Sequence, residues 1–219
     1  MTLKLNIACA TNVFPAPWLN IDAVDMNDAY FRHIRGLDAD RLDSGWSEEQ
    51  KNHVRWLNAG SLRFEQRDLR KGFPDYPDGT VDAIYGGQMI EHLQPHTEAP
   101  AFLSECYRML RPGGRIRLTT PDLAWLIENF LSDSMGDFAS EQPDFYKDAL
   151  EEDQLAYIMF GAGGTAERYE GHQHLYTRRS LAARLESAGF ELADELDHDL
   201  FAGTVDKGMS HSFGIEAIK

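Results

Sequence analysis

Residues 78–122, DGTVDAIYGGQMIEHLQPHTEAPAFLSECYRMLRPGGRIRLTTPD, read as strand, loop, helix, tight turn and strand, and that order decides the fold. Val81-Asp82-Ala83-Ile84-Tyr85 is a short β-rich run, reached through Asp78-Gly79 and left at Gly86-Gly87, with the length and punctuation of a central buried strand. Ala99, Phe102, Leu103, Cys106, Tyr107 and Leu110 then gather on one helical face. Thr97 is placed to cap this helix, Arg108 and Arg111 sit where its dipole favours cations, and Pro112-Gly113-Gly114 is expected to stop it. Arg115–Thr120 makes a second strand, so two strands bracket one amphipathic helix as in a right-handed βαβ unit with parallel strands. Ligands of such sheets bind outside the carboxyl ends of the strands, here Gly86-Gly87-Gln88 and Thr120-Pro121-Asp122.

The flanks extend the pattern. Leu3–Ala10 alternates into an apolar end, as a first central strand would, and closes on Ala8-Cys9-Ala10. Thr11–Trp18 contains Pro15 and Pro17 and is too short for an ordinary crossover helix, so a loop or single helical turn is expected there. Trp18–Asp22 and Ser61–Leu69 give two further strands, the latter ending at Asp68. A capping box, Ser47-x-x-Gln50, opens a helix over 48–58 with Gly60 as its stop, and Asp122 caps a helix carrying Leu123, Leu126, Ile127, Phe130 and Leu131. Phe190–Asp197 and Phe213–Ile218 are expected to pair as an antiparallel hairpin at one edge. The whole is an α/β chain: one doubly wound sheet, mostly parallel with one antiparallel edge strand, helices on both faces, in one domain over residues 1–219. Insertions fall near 27–60 and 132–170; the second carries Phe138, Phe145, Tyr146, Tyr157 and Phe160 and ends at Gly161-Ala162-Gly163-Gly164. A substrate lid and a homodimer contact are the two open readings of it.

With 36 acidic against 21 basic side chains, the formal net charge of -15 opposes phosphate backbones and anionic membranes, so nucleic-acid partners are not expected. An ordinary solvated surface accounts for the same charge. No apolar run approaches the roughly 20 residues of a membrane span, and the N-terminus lacks the pattern of a signal peptide, so a cytoplasmic location is expected. Cys9 and Cys106 are expected as small core residues, not as a disulfide.

VDAIYGGQMIEHL followed by LRPGGRIRLTTPD resembles the fourth strand, helix and fifth strand of the class I S-adenosylmethionine-dependent methyltransferases, whose sheet is Rossmann-like. Trp18-Leu19-Asn20-Ile21-Asp22 and the run from Gly171-His172-Gln173-His174 to Gly189-Phe190 are similar to segments of short methyltransferases of polysaccharide biosynthesis. The resemblance implies S-adenosylmethionine as cofactor. It places Ala8, Cys9 and Ala10 where family members carry a Gly-x-Gly loop, Asp22 on the ribose diol, and Asp68 and Leu69 at the adenine edge, and Gly86, Gly87 and Gln88, at the carboxyl end of the fourth strand, join them as cofactor-binding candidates. The Ala8-Cys9-Ala10 triplet is a departure, because each methyl group stands where bare backbone is customary. Asp22, or nearby Asp25, as a loop cap, and Asp68 as a surface partner of Arg67 or Arg70, are the plain alternatives.

Methyl transfer from a sulfonium requires alignment and, for a hydroxyl acceptor, a base. His92 follows the fourth strand, and His172 and His174 lie on the loop before a late helix, so all three are candidate catalytic groups; each could equally be structural. Gln88-x-x-Glu91-His92 resembles the Glu-x-x-Glu-His ligand run of metal-dependent small-RNA and quinone-pathway methyltransferases, with Gln88 in place of the first carboxylate. His172 or His174 would complete a two-histidine, one-carboxylate set there, but no metal is assigned. The expected function is methylation of a small polar acceptor, a sugar hydroxyl or another small metabolite. The alternatives are a methyltransferase-like binding or scaffold protein without activity, and an enzyme using S-adenosylmethionine for another reaction. A nicotinamide dehydrogenase is disfavoured, because no G-x-G-x-x-G follows the first strand.

Overall fold

The computed structural model describes residues 2–9, 12–23, 29–135, 150–160, 171–201, 204 and 211–219. The strands are β1 (Lys4–Ile7), β2 (Trp18–Asp22), β3 (Arg63–Gln66), β4 (Val81–Gly87), β5 (Leu110–Pro121), β6 (Glu191–Leu192) and β7 (Ser212–Ile218). The helices are α1 (Ala29–Ile34), α2 (Glu48–Asn58), α3 (Glu98–Met109), α4 (Leu123–Leu131), α5 (Glu151–Phe160) and α6 (Arg178–Ser187). All strands join one seven-stranded sheet in the order β3-β2-β1-β4-β5-β7-β6. β1 to β5 run parallel and β7 is antiparallel to both β5 and β6, as the sequence predicts.

Side-chain alternation divides the sheet into two unlike faces. Leu5, Ile7, Ile21, Ile84, Ile116, Leu118, Ile215 and Ala217 line one face and form the main core with Phe102, Leu103, Cys106, Leu181 and Leu185 from α3 and α6. The opposite face carries Asn6, Asn20, Tyr85, Arg117 and Glu216, all buried. Near the β3 edge that face is covered by α1 and α2, through Phe31, Ile34 and Val54 packed with Phe64. In the middle it is covered by Phe14 and Phe201, which close over Trp18, Ala83 and Tyr85.

Described residues 12–17 contain no helix, and a pair of buried amides takes over the role of the crossover helix. Asn6 and Asn20 sit opposite one another in the β1–β2 register. Asn6 Nδ2 donates to Asn20 Oδ1 at 2.9 Å and to the Asn12 carbonyl at 2.8 Å. Asn20 also accepts from the Phe14 amide and donates to the carbonyls of Phe14 and Arg63, each at 2.9 Å. These bonds satisfy backbone groups that a helix would have satisfied within itself.

Four boundaries differ from the sequence reading, each for a local reason. α3 ends at Met109, and Pro112-Gly113-Gly114 lies inside β5 as a bulge where the register moves from Val81↔Leu110 to Ala83↔Arg115. A Cβ on Gly114 would stand 2.9 Å from the Arg111 carbonyl, so only glycine fits that step. Thr97 precedes α3 without a side-chain capping bond. β3 stops at Gln66 because the Asp68 carboxylate caps a 3-10 turn over Leu69–Lys71. The last hairpin is short: β6 ends at Leu192, and the amide of Asp197 turns onto the Glu216 carboxylate at 3.0 and 3.1 Å.

The expected capping box on α2 is present in both directions, and Asp122 caps α4. Cys9 and Cys106 are free and buried. No helix among the described residues is long and apolar enough to cross a membrane. Ala10, Asp25, Phe138, Phe145, Tyr146 and Gly161-Ala162-Gly163-Gly164 lie outside the described residues.

Two stability outcomes follow from these contacts. Asn20→Ala removes four bonds from a fully buried site and is expected to cost about 3 kcal/mol, at roughly 1–3 kcal/mol for each buried group left unpaired, in chemical denaturation. Ala8 holds the left-handed φ of 54°, which costs an L-residue on the order of 1 kcal/mol. Ala8→Gly is therefore expected to be neutral to about 1 kcal/mol stabilising, whereas Ala83→Gly in the buried middle of β4 is expected to destabilise; an Ala8→Gly variant that melts well below the parent contradicts this.

Candidate functional site

Strand order reverses at β1, which has β2 on one side and β4 on the other, and the crevice over their carboxyl ends is where such sheets bind ligands. Ala8, Cys9, Asp22 and Gly86-Gly87-Gln88 all reach this edge of the sheet. Ala8 occupies the left-handed conformation that glycine adopts freely; its amide donates to the Ile21 carbonyl at 2.8 Å and its side chain packs against the main core. Cys9 is turned into the apolar cluster beneath α1 and α2, where burial, and secondarily the charge of Asp22, push its thiol well above its ordinary range. The carboxyl group of Asp22 closes β2 and is 7 % exposed.

The two glycines of β4 are explained by their neighbours. A Cβ on Gly86 would meet Leu118 Cδ2 at 2.9 Å and Met89 Cγ at 3.2 Å, and one on Gly87 would meet the Tyr85 hydroxyl at 2.8 Å. Gln88 takes φ 53° and directs its amide to Ser212 Oγ at 3.3 Å and Thr119 Oγ1 at 3.5 Å, toward β5 and β7. Asp68 sits beyond the tip of β3, where its carboxylate accepts from the amide and the guanidinium of Arg70 at 3.1 and 3.3 Å. Leu69 packs against the main core.

The three histidines separate. His92 ends a 3-10 turn after β4, and its ring centroid lies 4.8 Å from that of His172. His172 is fixed by α5, whose Ile158 carbonyl lies 2.7 Å from Nδ1; burial, then the neighbouring His92, lower its pKa to about 4. His174 does not join them: its ring is set against Tyr176 at 4.6 Å, and burial, with Arg184 and His96 nearby, lowers its pKa.

Beneath this pair is Glu91, which enters the sequence reading only through its ligand-run spacing. It is fully buried, and burial raises its pKa to about 8. Its Oε2 accepts from Thr120 Oγ1 at 3.1 Å, while Oε1 has no hydrogen-bond partner among the described residues. Its carbonyl accepts the amides of Gln173 and His174 at 2.7 and 3.1 Å, so the backbone of Glu91 carries the loop that brings His172 to His92. One ligand atom each from Glu91, His92 and His172 lies within 4.8 Å of the others. Glu91 and His92 from the turn after β4, with His172 from the loop after α5, thus bring two imidazoles and a buried acid together.

Comparison with known proteins identifies the family of the chain. Residues 9–195 match a family model described as a methyltransferase domain. A Mycolicibacterium smegmatis protein named "Probable S-adenosylmethionine-dependent methyltransferase" is 37 % identical over 188 residues, which are 84 % of this chain and 53 % of that protein. Phosphoethanolamine N-methyltransferase 3 of Arabidopsis thaliana is 39 % identical over 59 residues, 27 % of this chain and 11 % of that protein. The chain therefore spans about half the length of the first and about a tenth of the second. Among solved structures, a SAM-dependent methyltransferase from Methanosarcina mazei superposes with a TM-score of 0.53 at 14 % identity, covering 99 % of this chain and 92 % of that one. With its sheet order, its strand-tip geometry and a family match over most of its length, this chain belongs to the class I S-adenosylmethionine-dependent methyltransferase family.

Proposed function

We propose that this chain is a cytoplasmic methyltransferase that moves the methyl group of S-adenosylmethionine to a small polar acceptor, a hydroxyl of a sugar or a similar metabolite. The observation that carries the cofactor half is the crevice over β1, β2 and β4, in which Ala8 adopts the backbone conformation of the glycine it replaces. A lone methyl group turned against the core leaves the cofactor a path over the strand tips. In this reading Asp22, which ends β2, would accept from a ribose diol. In the same reading Leu69 and Asp68 border the adenine, with the Asp68 carboxylate exchanging Arg70 for the base. Cys9, Ala10 and Gly86-Gly87-Gln88 would flank the methionine end.

The acceptor half rests on the histidine pair. If the Ile158 carbonyl holds the proton of His172 on Nδ1, then Nε2 presents a lone pair beside His92 at the tip of β4. A hydroxyl acceptor seated there loses its proton as the carbon–oxygen bond forms and the neutral thioether leaves. The net charge of -15 disfavours a polyphosphate acceptor and fits a small neutral or cationic one. His174, held against Tyr176, positions the loop. The insertion around α5, which fixes His172, then reads as part of the cover over the acceptor, and a homodimer contact there remains the competing arrangement.

Calorimetric titration with S-adenosylmethionine and S-adenosylhomocysteine tests the cofactor half. Binding of both is expected, and Asp22→Ala should weaken it about 10-fold or more, the worth of a charge-assisted hydrogen bond of roughly 1.5–3 kcal/mol. Absence of binding at millimolar ligand would leave only a scaffold of this fold. For the acceptor half, methyl transfer to a panel of sugars and small hydroxyl metabolites should fall about 10²–10⁴-fold in His172→Ala and His92→Ala and much less in His174→Ala. Full activity in both of the first two variants would remove the histidines from the chemistry.

A further inference from the structure

Glu91, His92 and His172 come from two distant segments, and three observations single them out among the described residues. The first is the orphaned oxygen: Glu91 is fully buried, Thr120 serves Oε2, and Oε1 has no hydrogen-bond partner. A buried carboxyl oxygen left in that state is costly and calls for a ligand. The second is the tautomer of His172. A carbonyl oxygen only accepts, so the 2.7 Å contact with Ile158 puts hydrogen on Nδ1 and leaves the Nε2 lone pair for another atom. That is how metal-bound histidines are held, the far nitrogen donating to a backbone carbonyl. The third is proximity: the three ligand atoms lie within 4.8 Å of one another. Three atoms within that separation have a common centre at most about 2.8 Å from each, against metal bonds of about 2.0–2.2 Å, so side-chain rotations that draw each atom in by less than about 1 Å close the set.

We propose that Glu91, His92 and His172 form a binding site for a divalent transition-metal ion, two imidazoles and one carboxylate, with its remaining positions open. The donor types suit zinc, iron, cobalt or nickel rather than magnesium or calcium, which prefer oxygen. Gln88 is not a fourth ligand, because its amide is engaged toward Thr119 and Ser212. Three protein ligands with vacant positions is the pattern of catalytic rather than structural ions. The role of the ion rests on the methyltransferase reading: an ion held by Glu91, His92 and His172 would supply Lewis-acid stabilisation to an acceptor oxygen at its open positions, with the hydroxyl proton passing to solvent water as the thioether leaves. The site itself stands without that reading, since Thr120 of β5 holds Glu91 and the Ile158 carbonyl of α5 holds His172, and no nucleoside contact is needed for either.

The test uses the full chain freed of metal with a chelator, then titrated with Zn²⁺ by calorimetry and with Co²⁺ followed by its visible absorption. One equivalent is expected to bind, with affinity reduced about 100-fold or more in Glu91→Gln and His172→Ala and unchanged in His198→Ala, which removes an exposed histidine. No stoichiometric binding, or unchanged affinity in Glu91→Gln and His172→Ala, overturns the site. Circular dichroism identifies a variant that has not folded, and His92→Ala, at a half-buried position, then replaces it under the same criterion. Titration of the parent chain with S-adenosylhomocysteine separates the two proposals: zinc bound without the nucleoside sinks the methyltransferase reading alone, and the nucleoside bound without zinc sinks the metal site alone.

Discussion

Parallel strands cannot be joined by a tight turn, and between β1 and β2 this chain allots only residues 8–17 to the return. Much else depends on how that constraint is met. Asn6 and Asn20, side by side in the register, accept and donate for the backbone of the short connection, while Phe14 folds back over Trp18 and Tyr85. The connection therefore stays low against the sheet, and the tips of β1 and β2 are set by the two amides rather than by a helix. Ala8 and Asp22, the residues that would meet a cofactor, inherit their positions from this arrangement.

Two buried carboxylates, on opposite sides of the sheet, stand in opposite circumstances. Glu216 receives Arg117 Nε at 2.7 Å, Arg115 Nη1 at 3.2 Å and the Asp197 amide, and the Arg117 guanidinium lies over the Phe201 ring. Its burial is fully compensated, and its part is to fix the edge of the sheet. Glu91 has one hydroxyl donor for two oxygens. Glu216, saturated, and Glu91, left open beside two imidazoles, mark the difference between a structural ion pair and a buried acid with an unserved oxygen.

Much of the fold was legible in the sequence. The period-two strands, the helical spacing from Ala99 to Tyr107, the Ser47/Gln50 capping box and the Asp122 cap are local patterns, and they appear where the residues placed them. The boundaries that moved did so where a distant partner or a competing side chain intervened. Pro112-Gly113-Gly114 looks like a stop, yet β4 and the C-terminal strand recruit it into the sheet as a bulge. Asp68 looks like a strand end, yet its own carboxylate starts a turn.

The site divides in the same way. Which residue types stand at the strand tips, and that His92, His172 and His174 follow strand and loop signals, is written in the chain because β-strand ends are set by near neighbours. That His92 meets His172 while His174 turns to Tyr176 is not, because a one-residue difference in loop geometry selects between two histidines two positions apart. Nor does any local pattern say that Glu91 is buried with one oxygen unserved; that depends on Thr120 arriving from β5 and on α5 fixing His172 through a backbone carbonyl. Local spacing determined the sheet, its order of elements and its ligand edge, since those follow from periodicity and capping within a few residues. Tertiary packing alone decided which acid and which imidazoles share that edge, since burial and hydrogen-bond satisfaction are properties of segments brought together.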